Sequence, residues 1–592
     1  MRAKPKIIIV GAGITGMMAA VCLADKGADV SLVVSCDLQA AGVPPDDHGI
    51  NAALNIKNGD SPEMHFRDTI IYGEGLAGHS LVDHMCRVAP HIIHYLERVG
   101  VVFLKTPENA LEINAPYRGT VARQFDGEVP VGLQALKCLK QQIRKKELLE
   151  TVRIYNRWEF LSLILDHAGL CSGITIQNAR TMEIAALKAD AVIMADGDMT
   201  GLYGSYSLRG PDNHGYAMAQ LYRQGAYLAN CEFVGFYPYA FKTADKSIAV
   251  PSKILEAGCE VWASCEGEPC FFLDEAGAGL RAAKGSNQDV CGIPSDVRVV
   301  RLMGEMLRKY SGTQYQTPEF FLKIQQPQPH DVYRRWADLV RQHRGADAVS
   351  EPLQIAPAVQ TTLGGLWTGP DHMTNIPGLF AAGDCEYHYH GAAVLPGNGL
   401  LRELAAGVIV SDHVHGFISG AERTGAAAGD EIFSRAVKQQ QERLSDACEL
   451  NGPEGVYGLY EEFYETMMSG LGFVRDNDGI AHTLKKIDEF KERLQRVSLN
   501  DRTMFFNQEI FFFRHFEGML DLAFVVAKSA LCRNETRGFH YKTEFAERDD
   551  ENYLKTTKVK KGSDGPVLTY EDIESALSPE PLALSRGWVA QG

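Results

Sequence analysis

The length and charge of the chain limit its architecture and its partners. At 592 residues the chain is too long for one hydrophobic core, so three or four structural units are predicted. Acidic residues outnumber basic ones by 75 to 59, and the formal net charge is −16. Such a charge argues against nucleic acid or an anionic membrane surface as the main partner.

Cysteine spacing and hydropathy further restrict the possible metal sites and the location of the protein. The 13 cysteines include no C-x-x-C pair, so the sequence predicts neither iron–sulfur nor zinc ligation within this chain. Cys259, Cys265 and Cys270 lie close together and have two interpretations, a redox or metal cluster or partly buried thiols. No segment reaches the roughly 18 uninterrupted apolar residues of a membrane span. We therefore expect a cytoplasmic chain with reduced thiols.

The N-terminal segment has the pattern of a dinucleotide-binding fold. Ile7 to Val10 are apolar and β-branched, as in a parallel strand that is buried on both faces. Gly11, Gly13 and Gly16 follow in the order G-x-G-x-x-G, which lets the N-terminus of a helix approach a pyrophosphate. The segment is therefore predicted to run strand, turn, helix.

A second parallel strand is predicted from Asp29 to Val34. In dinucleotide-binding folds this strand ends in an acidic residue that holds the ribose hydroxyls. Here Asp37 comes a few residues late, and it is the candidate ribose ligand.

Ordered motifs along nearly the whole chain carry a family resemblance. They are G-I-N-A-A, G-D-S-P-x-x-H-F-x-D-T, R-W-E-F-L, Q-G-A-Y-x-A-N-C-E-F, A-P-A-V, G-G-L-W, M-T-N-I-P-G-L-F-A-A-G-D and A-L-C-R-N-E-T-R-G-F-H. Because these motifs occur in this order, the chain resembles the flavoprotein subunit of succinate dehydrogenase and fumarate reductase, particularly the menaquinone-linked bacterial type.

The resemblance implies an α/β fold with a Rossmann-like FAD-binding domain in two sequence segments, an inserted α+β capping domain and a C-terminal helical domain. The expected bounds are 1–238 and 346–420 for the FAD-binding domain, 239–345 for the capping domain, 421–540 for the helical domain and 541–592 for a tail. Apolar residues at three- and four-residue spacing predict packed helices between Glu431 and Val497. In the polar tail, Lys558 to Gly565 is predicted to be an exposed loop.

The same resemblance implies which residues hold FAD. Leu395 to Leu401 matches the family's flavin-ring loop and helix start, although Gly399 stands where the family has serine. Asp384 follows a predicted strand, at the place where the family uses an acidic side chain on the ribityl or ribose hydroxyls. The full candidate set is Gly11, Gly13, Gly16, Asp37, Gly49, Asn51, Gly383, Asp384, Asn398 and Leu400.

Two departures from the family concern the flavin. Counting back from Gly49, the histidine that carries the family's covalent flavin link falls on Gly42, so the FAD is expected to be non-covalent. The family's A-T-G-G strand end is here Ala195-Asp-Gly-Asp198, which places the carboxylates of Asp196 and Asp198 near the expected dinucleotide. Like charges beside a pyrophosphate lower its affinity unless something neutralises them.

The family's dicarboxylate site is replaced. The family holds the dicarboxylate with two histidines and two arginines and delivers a proton from a further arginine. Tyr237 and Gln360 stand at the positions of the histidines, Leu255 and Ser295 at those of arginines of the capping domain, and Val394 at that of the arginine in the H-G-A-N-R loop; Gln360 and Val394 lie within well-matched flanks. Candidates for a new acid–base role are Asp46, Asp47 and His48, together with Tyr387, His388, Tyr389 and His390 beyond Asp384; solvated loop residues are the simpler interpretation of the first group.

The sequence leaves two hypotheses about function. The first is an FAD-dependent oxidoreductase that acts on an unknown small molecule other than succinate or fumarate and passes electrons to an iron–sulfur partner. A membrane anchor could hold the chain at the inner face of the membrane through that partner. Arg533, Arg537, His540 and Arg548 to Asp550 either lie near this partner or tie the tail to the body. The second hypothesis is a redox-inactive subunit with a structural or regulatory role.

Overall fold

A computed structural model describes most of the chain. The described residues are 4–40, 49–54, 59–113, 121–244, 246–251, 254–255, 259–265, 268–270, 295–310, 318–324, 331–345, 351–420, 429–563 and 565–573. Gly42, Asp46, Asp47 and His48 lie outside them, as do the side chains of Cys265, Cys270 and Ser295.

Some β-strands alternate with helices and others follow one another directly, as the five strands between residues 152 and 194 do. In chain order the strands are β1 (Lys6–Val10), β2 (Asp29–Val34), β3 (Ile50–Asn51), β4 (Gln124–Phe125), β5 (Val152–Asn156), β6 (Trp158–Leu165), β7 (Cys171–Asn178), β8 (Ile184–Lys188), β9 (Ala191–Met194), β10 (Leu228–Ala229), β11 (Val234–Lys242), β12 (Ser247–Ala249), β13 (Cys259–Cys265), β14 (Glu268–Cys270), β15 (Glu319–Ile324), β16 (Leu353–Thr362), β17 (Gly365–Leu366), β18 (Leu379–Ala381), β19 (Lys555–Gly562) and β20 (Gly565–Asp572).

The α-helices are distributed along the chain, and the longest one described, of 25 residues, lies in the C-terminal third. In chain order they are α1 (Ile14–Asp25), α2 (Pro62–Tyr72), α3 (His79–Val99), α4 (Val131–Leu148), α5 (Tyr216–Arg223), α6 (Ser295–Tyr310), α7 (Asp331–Arg344), α8 (Asn398–Gly420), α9 (Asp430–Glu449), α10 (Val456–Leu471), α11 (Asn477–Leu494), α12 (Gln508–Cys532) and α13 (Asp550–Tyr553).

A parallel sheet of five strands forms the centre of the FAD-binding part, in the order β18-β9-β1-β2-β5. Ile7 and Ile9 of β1 pack into the core on one face, and Ile8 and Val10 pack into the core on the other. Because both faces of the strand are buried, its residues from Ile7 to Val10 are all apolar. The prediction of strand, turn and helix at the N-terminus is confirmed, and so is β2 with its predicted bounds.

A second sheet, in the order β12-β11-β16-β15-β13-β14, carries the inserted part of the chain. It has a hydrophobic core of its own, which includes Val261, Leu322 and Trp336. Strands β11 and β16 connect this part to the FAD-binding part, and β11 runs across the expected domain boundary at residue 238. The precise domain bounds stay a prediction.

The C-terminal third is helical up to Cys532, and the helices predicted between Glu431 and Val497 are present as α9, α10 and α11. Their apolar residues pack against α12, whose central turns are buried. Among the described residues, no helix is both long enough and apolar enough to cross a membrane.

The prediction of an exposed loop from Lys558 to Gly565 is wrong. Strands β19 and β20 form an antiparallel hairpin there, and β19 also pairs with β10 of the body. Val559 is fully buried at this junction. The lysines of this segment suggested a solvated loop, but they lie on strand β19. The buried positions of that strand are occupied by the β-branched residues Thr556, Thr557 and Val559.

Candidate functional site

The glycines after β1 form a cradle in which each has a different steric role. A Cβ on Gly11 would lie 2.1 Å from the carbonyl oxygen of Ala195, and one on Gly16 would lie 2.0 Å from the carbonyl oxygen of Gly11. These glycines let β9 and α1 approach the turn. A Cβ on Gly13 would meet open space within 4 Å, so the N-terminus of α1 faces a free volume. Such a volume can take a pyrophosphate.

The flavin-ring loop before α8 is held by a buried network around Asn398. The Asn398 amide donates to Thr69 Oγ1 at 2.9 Å, and its oxygen accepts from Asn51 Nδ2 at 2.9 Å and contacts His65 Nε2 at 2.8 Å. Asn51 also donates to the carbonyl of Pro396 at 2.8 Å. Gly397, with φ of +84°, lets the loop pass against Asn51. The loop is therefore fixed before any ligand binds.

The helix that supplies this network, α2, rests on a buried ion pair cluster. Arg123 pairs with Asp60 at 2.7 Å and with Asp68 at 2.6 Å, and its side chain is 1% exposed. His65 lies one turn from Thr69 on the same face of α2. Burial, followed by the charge of Arg123, lowers the pKa of His65 to about 3, so its imidazole is neutral.

Two further FAD candidates take positions that support the loop. A Cβ on Gly49 would lie 2.1 Å from Asp126 Oδ1 and 2.3 Å from the carbonyl oxygen of Phe125, so only glycine fits just before β3, where the chain lies against the end of β4. Leu400 is in the first turn of α8 and is buried in the core with Leu401 and Leu404. Their proximity to FAD stays a prediction.

Asp384 is held by two arginines. It follows β18 in a short turn with Gly383, whose φ is +81°, and it is 7% exposed. Arg209 Nη1 donates to Asp384 Oδ2 at 2.8 Å, and Arg402 of α8 also forms an ion pair with Asp384. A role on the ribityl or ribose hydroxyls therefore requires that Asp384 share its oxygens with these guanidinium groups.

Asp37 lies just beyond β2 and is half exposed. Arg157 donates to its Oδ2 from Nη2 at 2.6 Å and from Nε at 3.1 Å. This hydrogen bonding holds the pKa of Asp37 below its usual value. The carboxylate is at the strand end where a ribose ligand is expected, but Arg157 engages one oxygen.

The two acidic residues at the end of β9 differ in environment. Asp198 is fully buried and accepts hydrogen bonds from Asn213 Nδ2 at 2.7 Å, from Thr200 Oγ1 at 3.0 Å and from the Thr362 amide at 3.2 Å. Its charge is therefore satisfied within the protein. Burial, then the nearby charge of Glu159, raises the pKa of Asp196 from 3.8 to about 7. The carboxyl of Asp196 therefore stays protonated to a higher pH than that of an ordinary aspartate.

We expect Asp196→Asn to stabilise the protein at pH 8 more than at pH 5. Because the folded pKa of Asp196 is raised, its contribution to stability is complete below pH 4 and is lost as the pH rises through about 7. The isosteric amide removes this loss, which is worth roughly 1–3 kcal/mol between pH 5 and 8 for a partly buried group. Urea unfolding at both pH values measures the difference.

The matched control for this experiment is Asp488→Asn, on the exposed face of α11. We expect the control to change the stability by less than about 0.5 kcal/mol at either pH. If Asp196→Asn shows the same small, pH-independent change as the control, the pKa of Asp196 is not raised in the folded protein.

Two of the residues predicted to replace the family's dicarboxylate ligands lie on neighbouring strands of the second sheet. Tyr237 on β11 is buried, and its hydroxyl donates to the carbonyl of Val250 at 2.5 Å. Gln360 on β16 is the extra residue of a β-bulge, because Gly235 pairs with Thr361 while Phe236 pairs with Val359. Bulges commonly re-aim a side chain beside an active site.

The other two described replacements are apolar. Leu255 is 7% exposed and belongs to the core of the inserted part. Val394 precedes the flavin-ring loop and is partly buried against the main core. Neither supplies a charge or a hydrogen bond at its position.

The aromatic and histidine run after Asp384 is buried. His388 Nδ1 contacts Thr368 Oγ1 at 3.0 Å and Glu386 Oε2 at 3.1 Å, which is a histidine–carboxylate pair of the kind that can exchange protons. Tyr389 contacts His372 Nε2 at 3.0 Å. Burial lowers the pKa of His390 to about 4, and its ring nitrogens lack a hydrogen-bond partner within the described residues.

The C-terminal basic residues are internal. Arg533 pairs with Glu232 at 2.6 Å and with Glu535 at 2.8 Å, and its side chain is fully buried. Arg537 is also fully buried and pairs with Glu535 and Asp550. The remaining members, His540 and Arg548, contact Arg475 and Asp550. Of the two interpretations, the structure favours the one in which these residues tie the tail to the body.

Sequence reasoning missed Arg123, Arg209 and Arg402. Arg402 could have been noticed, because it lies one helical turn after Asn398 at the start of α8. The contact of Arg209 with Asp384 spans 175 residues and has no local signal. His65 and Thr69 were seen only as family landmarks, although their spacing places both on one face of a helix.

Comparison with known proteins agrees with this geometry. An FAD binding domain model matches residues 6–400, and a fumarate reductase flavoprotein C-terminal model matches residues 460–583. The succinate dehydrogenase flavoprotein subunit of Bacillus subtilis (strain 168) is 35% identical and aligns with 99% of this chain and 100% of its own length. The fumarate reductase flavoprotein subunit of Escherichia coli (strain K12) is 26% identical, over 97% and 94% of the two chains.

Among solved structures, E. coli quinol fumarate reductase FrdA matches with a TM-score of 0.86 at 24% identity and covers 98% of both chains. The glycine cradle, its open volume at Gly13 and the fixed flavin-ring loop fit FAD, which is the cofactor of this group. The chain is a flavoprotein of oxidoreductase type, and it belongs to the family of succinate dehydrogenase and fumarate reductase flavoprotein subunits.

Proposed function

We propose that this chain is an FAD-dependent oxidoreductase with non-covalent FAD, that its substrate is neither succinate nor fumarate, and that it passes electrons to an iron–sulfur subunit. The proposal rests on a contrast between the flavin-ring loop and the positions of the family's substrate ligands. The network that fixes the flavin-ring loop through Asn398 is complete, while no basic residue stands at the positions that correspond to the family's dicarboxylate ligands. The chain thus retains the features for flavin and has lost those for the family's substrate.

The residues around the flavin-ring loop support redox chemistry. FAD, when bound, accepts or gives a hydride equivalent. The N-terminus of α8, a helix of 23 residues, begins at Asn398 and presents backbone N–H groups that can stabilise negative charge on a reduced ring. Asn51, His65 and Thr69 hold that helix start in place, so the donors need no rearrangement on binding.

The substrate proposal follows from the chemistry of the replacements. Tyr237 and Gln360 can each form hydrogen bonds, and Leu255 and Val394 offer only apolar contact. A dicarboxylate would bring two charges into a site without basic partners, at a cost of several kcal/mol for each desolvated charge. We therefore infer a neutral or less charged substrate.

Any FAD in the purified protein is expected to be released by denaturation. Gly42 occupies the position that corresponds to the family's linkage histidine, and glycine has no side chain to bond. The measurement is flavin fluorescence after denaturing electrophoresis, with the filtrate of acid-precipitated protein as the complementary fraction. Fluorescence that stays with the protein band would contradict the prediction.

The iron–sulfur partner is inferred from two facts. The chain has no C-x-x-C pair that could bind a cluster, and the relatives with which it aligns over their full length are named as subunits. Such a partner could also hold the chain at the inner face of a membrane. The contact would involve surface residues other than Arg533 and Arg537, whose side chains are internal.

We expect a tagged chain expressed in its native cell to co-purify with a cysteine-rich subunit that contains iron and sulfide. Affinity purification at several salt concentrations, followed by mass spectrometry and iron analysis, tests this. Recovery of this chain alone under all conditions would count against the association.

A second candidate function is a redox-inactive subunit with a structural or regulatory role. It is favoured by Asp384, because Arg209 and Arg402 both engage the carboxylate that should face the cofactor. The absorption spectrum of the purified protein separates the two. A flavin spectrum that bleaches with dithionite supports the first function, and a colourless protein that gains no colour with added FAD supports the second.

A further inference from the structure

Three side chains from separate parts of the chain lie close together. Glu159 is at the start of β6, His214 lies just before α5, and His515 is on α12. Their possible ligand atoms all lie within 4.8 Å of one another. Glu159 is buried, and both histidines are partly buried. Neither the flavin site nor the proposed substrate site uses these groups.

We propose that Glu159, His214 and His515 bind a divalent transition-metal ion of the Zn²⁺ type. Two imidazoles and one carboxylate form a ligand set that suits Zn²⁺ and non-haem Fe²⁺ and disfavours Mg²⁺ and Ca²⁺, which prefer oxygen ligands. Three protein ligands leave at least one position for water, and this kind of site is found with both ions.

The contact between His515 and Glu159 is compatible with metal binding. His515 Nε2 lies 2.5 Å from Glu159 Oε1, within hydrogen-bond distance. A metal with bonds of about 2.0–2.2 Å to both atoms takes the place of the hydrogen atom between them and separates them to roughly 3.4 Å, an opening of about 1 Å. The imidazole of His515 then carries its proton on Nδ1.

His214 can join the same ion after a rotation of its ring. The ring now stacks on that of His515 with centroids 3.6 Å apart and an interplanar angle of 21°, so its Nε2 reaches an ion bound by His515 only when the ring turns out of this stack. The Tyr216 amide donates to His214 Nδ1 at 3.1 Å, so ligation through Nε2 gives up this hydrogen bond. One such bond contributes little against the bonds of a metal ion.

The second oxygen of Glu159 is available for a further bond. Glu159 Oε2 is buried without a hydrogen-bond partner among the described residues, and Arg514 Nη2 lies 3.5 Å from it. A buried carboxylate oxygen without a hydrogen bond is costly, and a bond to a cation would remove that cost.

A bound ion would join the FAD-binding part to the helical part of the chain, because β6 belongs to the first and α12 to the second. We therefore expect the metal to raise the thermal stability of the whole protein. This consequence does not depend on the substrate or on the electron acceptor.

The test measures metal binding by the purified full-length protein. The protein is dialysed first against a chelator, which removes bound metal, and then against buffer that contains Zn²⁺. The bound metal is counted by mass spectrometry, and Co²⁺ is used in parallel because its visible absorption reports nitrogen and oxygen ligation. We expect one ion per chain in the wild type. His515→Gln, which can still donate to Glu159, should lower the Zn²⁺ affinity by at least about 100-fold.

His482→Gln, on the exposed face of α11, is the matched control and should retain wild-type binding. His214→Gln should weaken binding in the same way as His515→Gln, and Zn²⁺ should raise the melting temperature of the wild type and not of either site variant. Equal Zn²⁺ binding by the wild type and His515→Gln would overturn the proposal, and so would a wild type that binds no Zn²⁺ at micromolar concentration.

Discussion

Flavin-loaded protein is expected to turn over neither succinate nor fumarate at a rate within tenfold of about 10 s⁻¹, the median for enzymes. The physical reason is the loss of charge at the substrate site. Val394 supplies neither charge nor hydrogen bond, and Gln360 can donate a hydrogen bond but carries no positive charge. A buried carboxylate that loses one arginine partner typically loses about 2–5 kcal/mol of binding.

A second deficit acts on the chemical step. In the proposed alignment the family's proton-delivering arginine falls on Leu255 or Ser295, and neither side chain can replace an arginine as proton donor. General acid catalysis contributes roughly 10²–10⁴ to a rate, so a correctly bound dicarboxylate would still react slowly. Because one deficit acts on binding and the other on the chemical step, the two should multiply.

The measurement is a dye-coupled assay with succinate, and with fumarate plus a reduced viologen, over a range of substrate concentrations. The Bacillus subtilis relative that is named a succinate dehydrogenase flavoprotein subunit is the positive control, and free FAD is the blank. Turnover near the median rate would show that the proposed replacements are misplaced and that another set of residues binds the dicarboxylate.

Much of the FAD-binding part could be predicted because its signals are local. The strand, turn and helix from Lys6 to Asp25 follow from an apolar run and three spaced glycines, and β2 has the predicted bounds. The steric roles of Gly11 and Gly16 also match the reasons for which glycine recurs at those positions. Such patterns depend on residues within one turn or one strand of each other.

The parts that were not predicted depend on distant partners. Arg157 engages Asp37 across 120 residues, and Arg402 forms an ion pair with Asp384.

The hairpin of β19 and β20 was not predicted, because its lysines suggested a solvated loop. Its β-branched residues on both sides of a glycine-containing turn were the available signal, and they indicate a hairpin.

The largest effect on stability is expected for Arg123→Met, which should lower the free energy of unfolding by about 3–5 kcal/mol. Arg123 forms the ion pairs with Asp60 and Asp68, and its side chain and that of Asp60 are each 1% exposed. Methionine has a similar length and fits an apolar environment, but it leaves two buried carboxylates without their guanidinium group. Because Asp68 belongs to α2, the variant should also loosen His65 and Thr69 and weaken the retention of FAD.

Arg87→Met is the matched control for Arg123→Met, because Arg87 also pairs with two carboxylates, those of Asp83 and Glu63, but its side chain is 52% exposed. Exposed pairs contribute about 0–1 kcal/mol, so the control should unfold close to the wild type and keep its FAD. Urea unfolding and flavin content after gel filtration are measured for both variants. A loss of stability in Arg123→Met no larger than in Arg87→Met would mean that the Arg123 cluster does not support α2, and the Asn398 loop would then need another explanation for its fixed position.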